Sequence, residues 1–158
     1  MSTKDLTRLT LETRLTLRVI DARQGSFEFL GFSFTRKISF KSAKRITWVE
    51  PSRESEQRFR DEVRGLTARR THCVPQRDVI ERVNRYVSGW VNYFHVHNST
   101  QVFTRQRFFL EQRMRKYLQK QRQRKGNGMK RWPASRLYKE LGLCAIPIHA
   151  RYRRTRMP

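Results

Sequence analysis

Residues 77–94 constrain this chain more than any other stretch. Apolar side chains recur at Val79, Ile80, Val83, Tyr86, Val87, Trp90, Val91 and Phe94. That spacing gathers them on one broad arc of an α-helix and leaves Glu81, Arg82, Asn84, Arg85 and Ser88 on the other side. A helix with so wide an apolar arc must be covered by other elements, so it is expected at the centre of the core. Pro75 fits the first turn, where a missing N–H costs nothing. Gly89 lies inside the helix at a cost of about 1 kcal/mol. Its place beside Trp90 predicts that another backbone approaches closely there.

Two further long helices are predicted around it. Ser52 can cap a helix whose first turn holds Glu54 and Glu56, acids that suit the helix dipole. Phe59, Val63 and Leu66 would face the core, and Arg53, Arg60 and Arg64 form a second stripe. "THCVPQ" breaks the chain, and "HVHNST" is a loop that offers Ser99 or Thr100 as the next cap. A helix follows over residues 101–122, with Phe103, Leu110, Met114 and Tyr117 as its seam. Phe108 lies roughly 140° from that seam, in line with Arg115 and Arg122. "QRQRKGNGMKRW" reads as a basic loop. A short helix from Pro133 to Leu141 then ends at Gly142, a residue that adopts the left-handed cap readily.

Ahead of Pro51 the pattern is extended. Residues 13–20, "TRLTLRVI", alternate as a half-buried strand. In "FEFLGFSF" (27–34), read as one strand, Phe27 and Phe29 share one face and Phe32 and Phe34 the other. The switch at Leu30–Gly31 implies a bulge, or a strand covered on both sides. Short segments at 38–40 and 46–49 suggest a second hairpin with "KSAKR" as its turn. The fold class is therefore α+β, mainly α: a short N-terminal antiparallel β portion, a bundle of three to four helices and a basic C-terminal tail. The expected divisions are 1–50, 51–125 and 126–158.

The formal net charge is +23, and it is uneven. Residues 98–158 hold seventeen basic and two acidic side chains, a net +15. Such a concentration repels itself unless a polyanion neutralises it, and nucleic acid is the commonest one. Arginine outnumbers lysine 27 to 9, and its planar fork suits phosphates and can stack on bases. No window holds the roughly 18 uninterrupted apolar residues of a membrane span. The N-terminus lacks the apolar region of a signal peptide. Cys73 and Cys144 are too far apart and too few for a disulfide framework, so both are expected as free thiols in a reducing, cytoplasmic setting.

"FEFLGFSF", then "PSRESEQRFRDEVRGLT", then "IERVNRYVSGWVNYF", then a basic helix, resembles the C-terminal part of group II intron-encoded reverse transcriptases, the maturases. The similarity covers roughly residues 12–125. Its most specific run is N-x-x-x-x-G-W-x-x-Y-F, here Asn84, Gly89, Trp90, Tyr93 and Phe94. The resemblance implies that the phenylalanine-rich segment closes a polymerase palm, that a thumb-like maturase region starts near Pro51–Ser52, and that the partner is structured RNA, above all group II intron RNA. The family's polymerase centre uses a Tyr-x-Asp-Asp hairpin. This chain has no adjacent aspartates; Asp5, Asp21, Asp61 and Asp78 stand apart. The expectation is a non-catalytic module, truncated so that the catalytic palm is absent and only its last strands remain in residues 1–50, that assists intron folding and splicing. Other readings stay open: one part of a split reverse transcriptase needing a separate fingers–palm chain, a decayed mobile-element fragment, or a general nucleic-acid binder.

On that resemblance, RNA is expected along the exposed helix edges. The candidate contacts are Arg53, Arg60 and Arg64; Arg105, Arg107, Arg113, Arg115, Lys116 and Lys120; and Lys130 and Arg131 in the loop. Phe108 is the candidate for base stacking, with packing as its other reading. Trp90 and Phe94 are expected in the core. No cofactor and no catalytic residue are expected. His95 and His97, with His72 and Cys73, fit no common zinc spacing, so no metal site is assigned.

Overall fold

The structure is a computed structural model and describes residues 26–38, 43, 45–95 and 98–148. The predicted strand at 13–20, the residues from 149 onward, His97 and most of the "KSAKR" turn lie outside the described residues. Three strands, β1 (Ser26–Phe29), β2 (Phe32–Ile38) and β3 (Arg45–Pro51), form an antiparallel sheet in that order. The helices follow: α1 (Arg53–Leu66), a 3-10 turn (Arg69–Cys73), α2 (Gln76–Phe94), α3 (Thr100–Gln121) and α4 (Ala134–Lys139). The architecture is α+β and mainly α, as the sequence suggests.

The aromatic segment is not one strand with a bulge. It is a tight hairpin whose two-residue turn, Leu30–Gly31, has φ of 49° and 79°. Positive φ at both central residues is what a hairpin turn matched to strand twist requires. The register pairs Phe29 with Phe32 and Phe27 with Phe34. All four phenylalanines therefore share one face, and the rings of Phe27 and Phe34 stack at 4.8 Å. The apparent switch of face is the chain reversing direction.

That turn is clasped by the helices. The Gly31 carbonyl accepts from the Ser52 N–H and from the Ser55 hydroxyl, each at 2.8 Å. The Leu30 carbonyl accepts from the Tyr93 hydroxyl at 3.0 Å. A Cβ on Gly31 would stand 2.7 Å from Ser55 Oγ and 3.3 Å from Phe94 Cζ, so the close approach and the positive φ both call for glycine. Ser52 also caps α1, its hydroxyl accepting from the Ser55 N–H at 3.2 Å.

Phe59 and Val63 of α1, the predicted arc of α2 and the seam of α3 build one core. Trp90 sits at its aromatic centre, 4.7 Å from Phe59, 4.8 Å from Phe94 and 5.6 Å from Phe103 between ring centroids. Gly89 departs from expectation: a Cβ there would meet nothing within 4 Å, and the residue faces solvent. Neighbours on a helix point about 100° apart, so lying beside Trp90 carries Gly89 off the buried arc. Ser99 does not cap α3 with its side chain; its hydroxyl donates to the Phe94 carbonyl at 2.7 Å and ties down the end of α2.

The segment from residue 126 contributes Trp132, Leu137, Leu143 and Ile146 to the same core. Asn84 fastens it to α2. Its amide donates to the Gly142 carbonyl, and its side-chain oxygen accepts from the Cys144 N–H, both at 2.7 Å. The asparagine of the quoted run thus holds the C-terminal arm, while Trp90 and Phe94 of the same run hold the core. Among the described residues no helix is long and apolar enough to cross a membrane.

Candidate nucleic-acid interface

Two carboxylates, one buried and one half-buried, decide which basic side chains remain free. Glu56 on α1 is almost enclosed and accepts from Arg60 at 3.3 Å, Arg105 at 2.7 Å and Gln106 at 2.6 Å. This group ties α1 to α3. Glu111 on α3 accepts from Arg107 at 3.2 Å, Arg115 at 3.0 Å and the Tyr138 hydroxyl at 2.6 Å. Arg115 also donates to the Trp132 carbonyl at 2.8 Å. This second group ties α3 to the C-terminal arm. Burial pushes Glu111 up, but the bonds from Tyr138, Arg107 and Arg115 outweigh it and hold the carboxyl below its ordinary value. Tyr138 is raised to about 12, by burial first and then by Glu111.

These networks sort the candidate residues. Arg115, expected on an exposed stripe, is only 3% exposed and points inward. The arm around Trp132 covers that part of α3, which makes the guanidinium a structural strut and takes it off the accessible surface. Phe108, on the same stripe, escapes the cover and is 64% exposed. Arg60, Arg105 and Arg107 are engaged with carboxylates, and Arg64 pairs with Asp61 at 2.6 Å. Arg60 and Arg64 also lie over the Phe109 ring, at 5.9 and 5.3 Å. Arg53, Lys116, Lys120 and Lys130 are exposed, and among the described residues they make no ion pair. Arg131 is half-buried in a cationic neighbourhood. Its guanidinium is lowered first by Arg124, then by burial, then by Arg122 and Arg136. Arg122 and Arg136 both lie over the Trp132 ring, at 5.1 and 4.8 Å.

The structure brings Arg113, Lys116 and Lys120 together with a partner that the sequence reading missed. The 3-10 turn faces α3 across a cleft of about 610 Å³, and Arg69 and His72 complete its cationic and aromatic lining. Among the described residues no carboxylate lines it. Arg113 is fixed at its base, donating to Thr67 Oγ1 at 2.7 Å and to the Thr67 carbonyl at 2.9 Å. Burial, and then Arg64, lower the Arg113 guanidinium from its ordinary value. The wall is pinned by the Tyr117 hydroxyl donating to the Thr71 carbonyl at 2.9 Å, and by Gln121 donating to the His72 and Val74 carbonyls, each at 3.3 Å. The paired arginines at 69–70 were the available signal. They fall in a break between helices, where periodicity gives no facing direction.

His95, weighed for metal binding, stacks its ring on Phe103 at 5.8 Å, and His72 packs edge-on against Tyr117 at 5.2 Å. Among the described residues no group of three or more His, Cys, Asp or Glu side chains is arranged to hold a metal ion.

Comparison with curated proteins gives no match. Comparison with protein families matches residues 56–138 to the family described as "Group II intron, maturase-specific domain". The match begins at Glu56 and ends at Tyr138, so it takes in both carboxylate networks, the cleft and the whole helical core. A match over more than half of the chain, resting on the residues that build its core, makes this protein a member of the group II intron maturase-specific domain family.

Proposed function

We propose that the chain is an RNA-binding module that helps group II intron RNA reach its spliced form, without polymerase chemistry of its own. The observation that carries this reading is the cleft between the 3-10 turn and α3. It gathers basic side chains from two elements with no carboxylate among its described lining residues, whereas Glu56 and Glu111 engage Arg60, Arg105, Arg107 and Arg115. A matched cation is part of the fold; an unmatched cluster awaits an anion from outside. Lys116 and Lys120 lie four residues apart on α3 and therefore on one side of it. With Arg69 they would neutralise phosphates, giving affinity that falls steeply with salt. Folded RNA is recognised mainly by shape and by unstacked bases, which suits a rigid helical body with cationic recesses.

Filter binding of the purified chain to a group II intron RNA and to an unrelated structured RNA, at several salt concentrations, tests the reading. Tighter binding to the intron RNA, together with faster splicing when the protein is added, supports it. Equal affinity for the two RNAs and an unchanged splicing rate would refute it.

A further inference from the structure

The cleft between the 3-10 turn and α3 is a recess, and its shape selects among RNA features. An A-form duplex keeps its bases stacked inside and presents a convex backbone, whereas an unstacked nucleotide projects outward and can enter a recess. A single nucleotide fits inside: about 610 Å³ falls within the range of small-molecule sites. The chemistry is graded with depth. Lys116, Lys120 and Arg69 are exposed, while Arg113 is half-buried and held by Thr67. The His72 ring, braced by Tyr117, gives the wall a flat surface for a base. The wall is already fixed by the bonds from Tyr117 and Gln121 to the 3-10 turn, so a ligand need not order it.

We infer that this cleft takes one unstacked nucleotide of the RNA, a bulged or single-stranded residue, with its phosphate between Lys116, Lys120 and Arg69 and its base against the His72 wall. The inference rests on the RNA-binding reading above and adds the feature that this site recognises. Bulges and loops are where proteins read RNA by stacking and hydrogen bonding, because their bases are already free of the helix. Base stacking of this kind is worth enough to separate a bulged RNA from a paired one by about tenfold.

The protein carries its own reporter. Cys73 is exposed and lines the cleft, whereas Cys144 is half-buried, lies elsewhere, and has its thiol pushed up by burial. Two RNA hairpins are compared, identical except for one bulged uridine, with the full chain and with a K116Q/K120Q variant. Melting temperature serves as the check on folding, since both lysines are exposed. The expected result is about tenfold tighter binding of the bulged hairpin, slower alkylation of Cys73 in its presence with Cys144 unaffected, and loss of both differences in the variant. The variant's salt slope should also fall by up to about 0.7, one phosphate at single-strand weight. If both hairpins bind alike and Cys73 reacts at its free rate, the cleft assignment is overturned while RNA binding stands. If neither hairpin binds at low salt, the RNA-binding reading falls, and this inference with it.

Discussion

Replacing Glu111 by glutamine tests the network that joins α3 to the C-terminal arm. The substitution keeps the shape and removes the charge. Arg115 is then left with its guanidinium buried, the Trp132 carbonyl as its remaining acceptor, and an amide where the carboxylate stood. Removing one partner of a buried ion pair costs about 3–5 kcal/mol, because the other charge stays behind uncompensated. The Trp132 carbonyl places this case at the lower end, about 3 kcal/mol. For a chain of this length that lowers the melting temperature by about 6–12 °C. Urea unfolding followed by circular dichroism gives the free energy directly. A second variant, E111Q/R115M, removes the stranded charge as well and should recover most of the loss. The pH dependence adds an independent test. Glu111 titrates lower in the folded state than in the unfolded chain, so its contribution is full above the ordinary carboxylate value and fades as pH falls through the lowered one. Wild type should lose stability more steeply in acid than E111Q. At the alkaline end, Tyr138 is raised to about 12, so stability should decline as pH climbs from the ordinary tyrosine value toward 12. Tyr138→Phe should lessen that decline, leaving the part that Tyr86, also raised by burial, contributes. A cost below about 1 kcal/mol for E111Q, or a double variant less stable than the single one, would refute the stranded-charge argument.

Gly31→Ala forces a Cβ toward Ser55 Oγ at a φ of 79° and should cost about 1–3 kcal/mol in urea unfolding; a neutral result would disprove the tight seat of the turn. Gly89→Ala should instead stabilise by about 0.5–1 kcal/mol, because the position is helical, exposed and open; a lower melting temperature would show a neighbour that the structure does not. Asn84→Ala removes both bonds to the C-terminal arm, so Cys144 should alkylate faster than in wild type while Cys73 is unchanged; equal Cys144 rates would mean that the arm holds without Asn84.

How far the sequence could be read depended on where the covering atoms come from. The buried arc of α2 was legible because its own periodicity states which side is covered, and Val79 to Phe94 fill it as expected. The seam of α3 was legible for the same reason. Arg115 was not, because what buries it is an arm more than a dozen residues further on, and no pattern within α3 announces that arm. Glu111, the one acid among six basic residues of α3, was the hint, since a lone carboxylate there needs a reason. The hairpin was misread because Leu30 takes a positive φ that leucine seldom adopts, so the usual Asn-Gly or Asp-Gly signal was missing. Of the candidate contacts, Lys116 and Lys120 keep their free charges, and Arg69 joins them from a 3-10 turn too short for periodicity to orient its side chains.

The clasp on the Leu30–Gly31 turn has a mechanical consequence. Among the described residues, the hydrogen bonds from helical and loop residues to the sheet reach it only at Leu30, Gly31 and Val49, toward the end from which α1 departs. The opposite end, where Ile38 pairs with Arg45, makes none. Among the described residues the sheet is thus held like a cantilever, built in at its root and without such a bond at its tip. A pull on the tip develops its largest moment at the root, so the peptide of one glycine is where the sheet and the helices would part first.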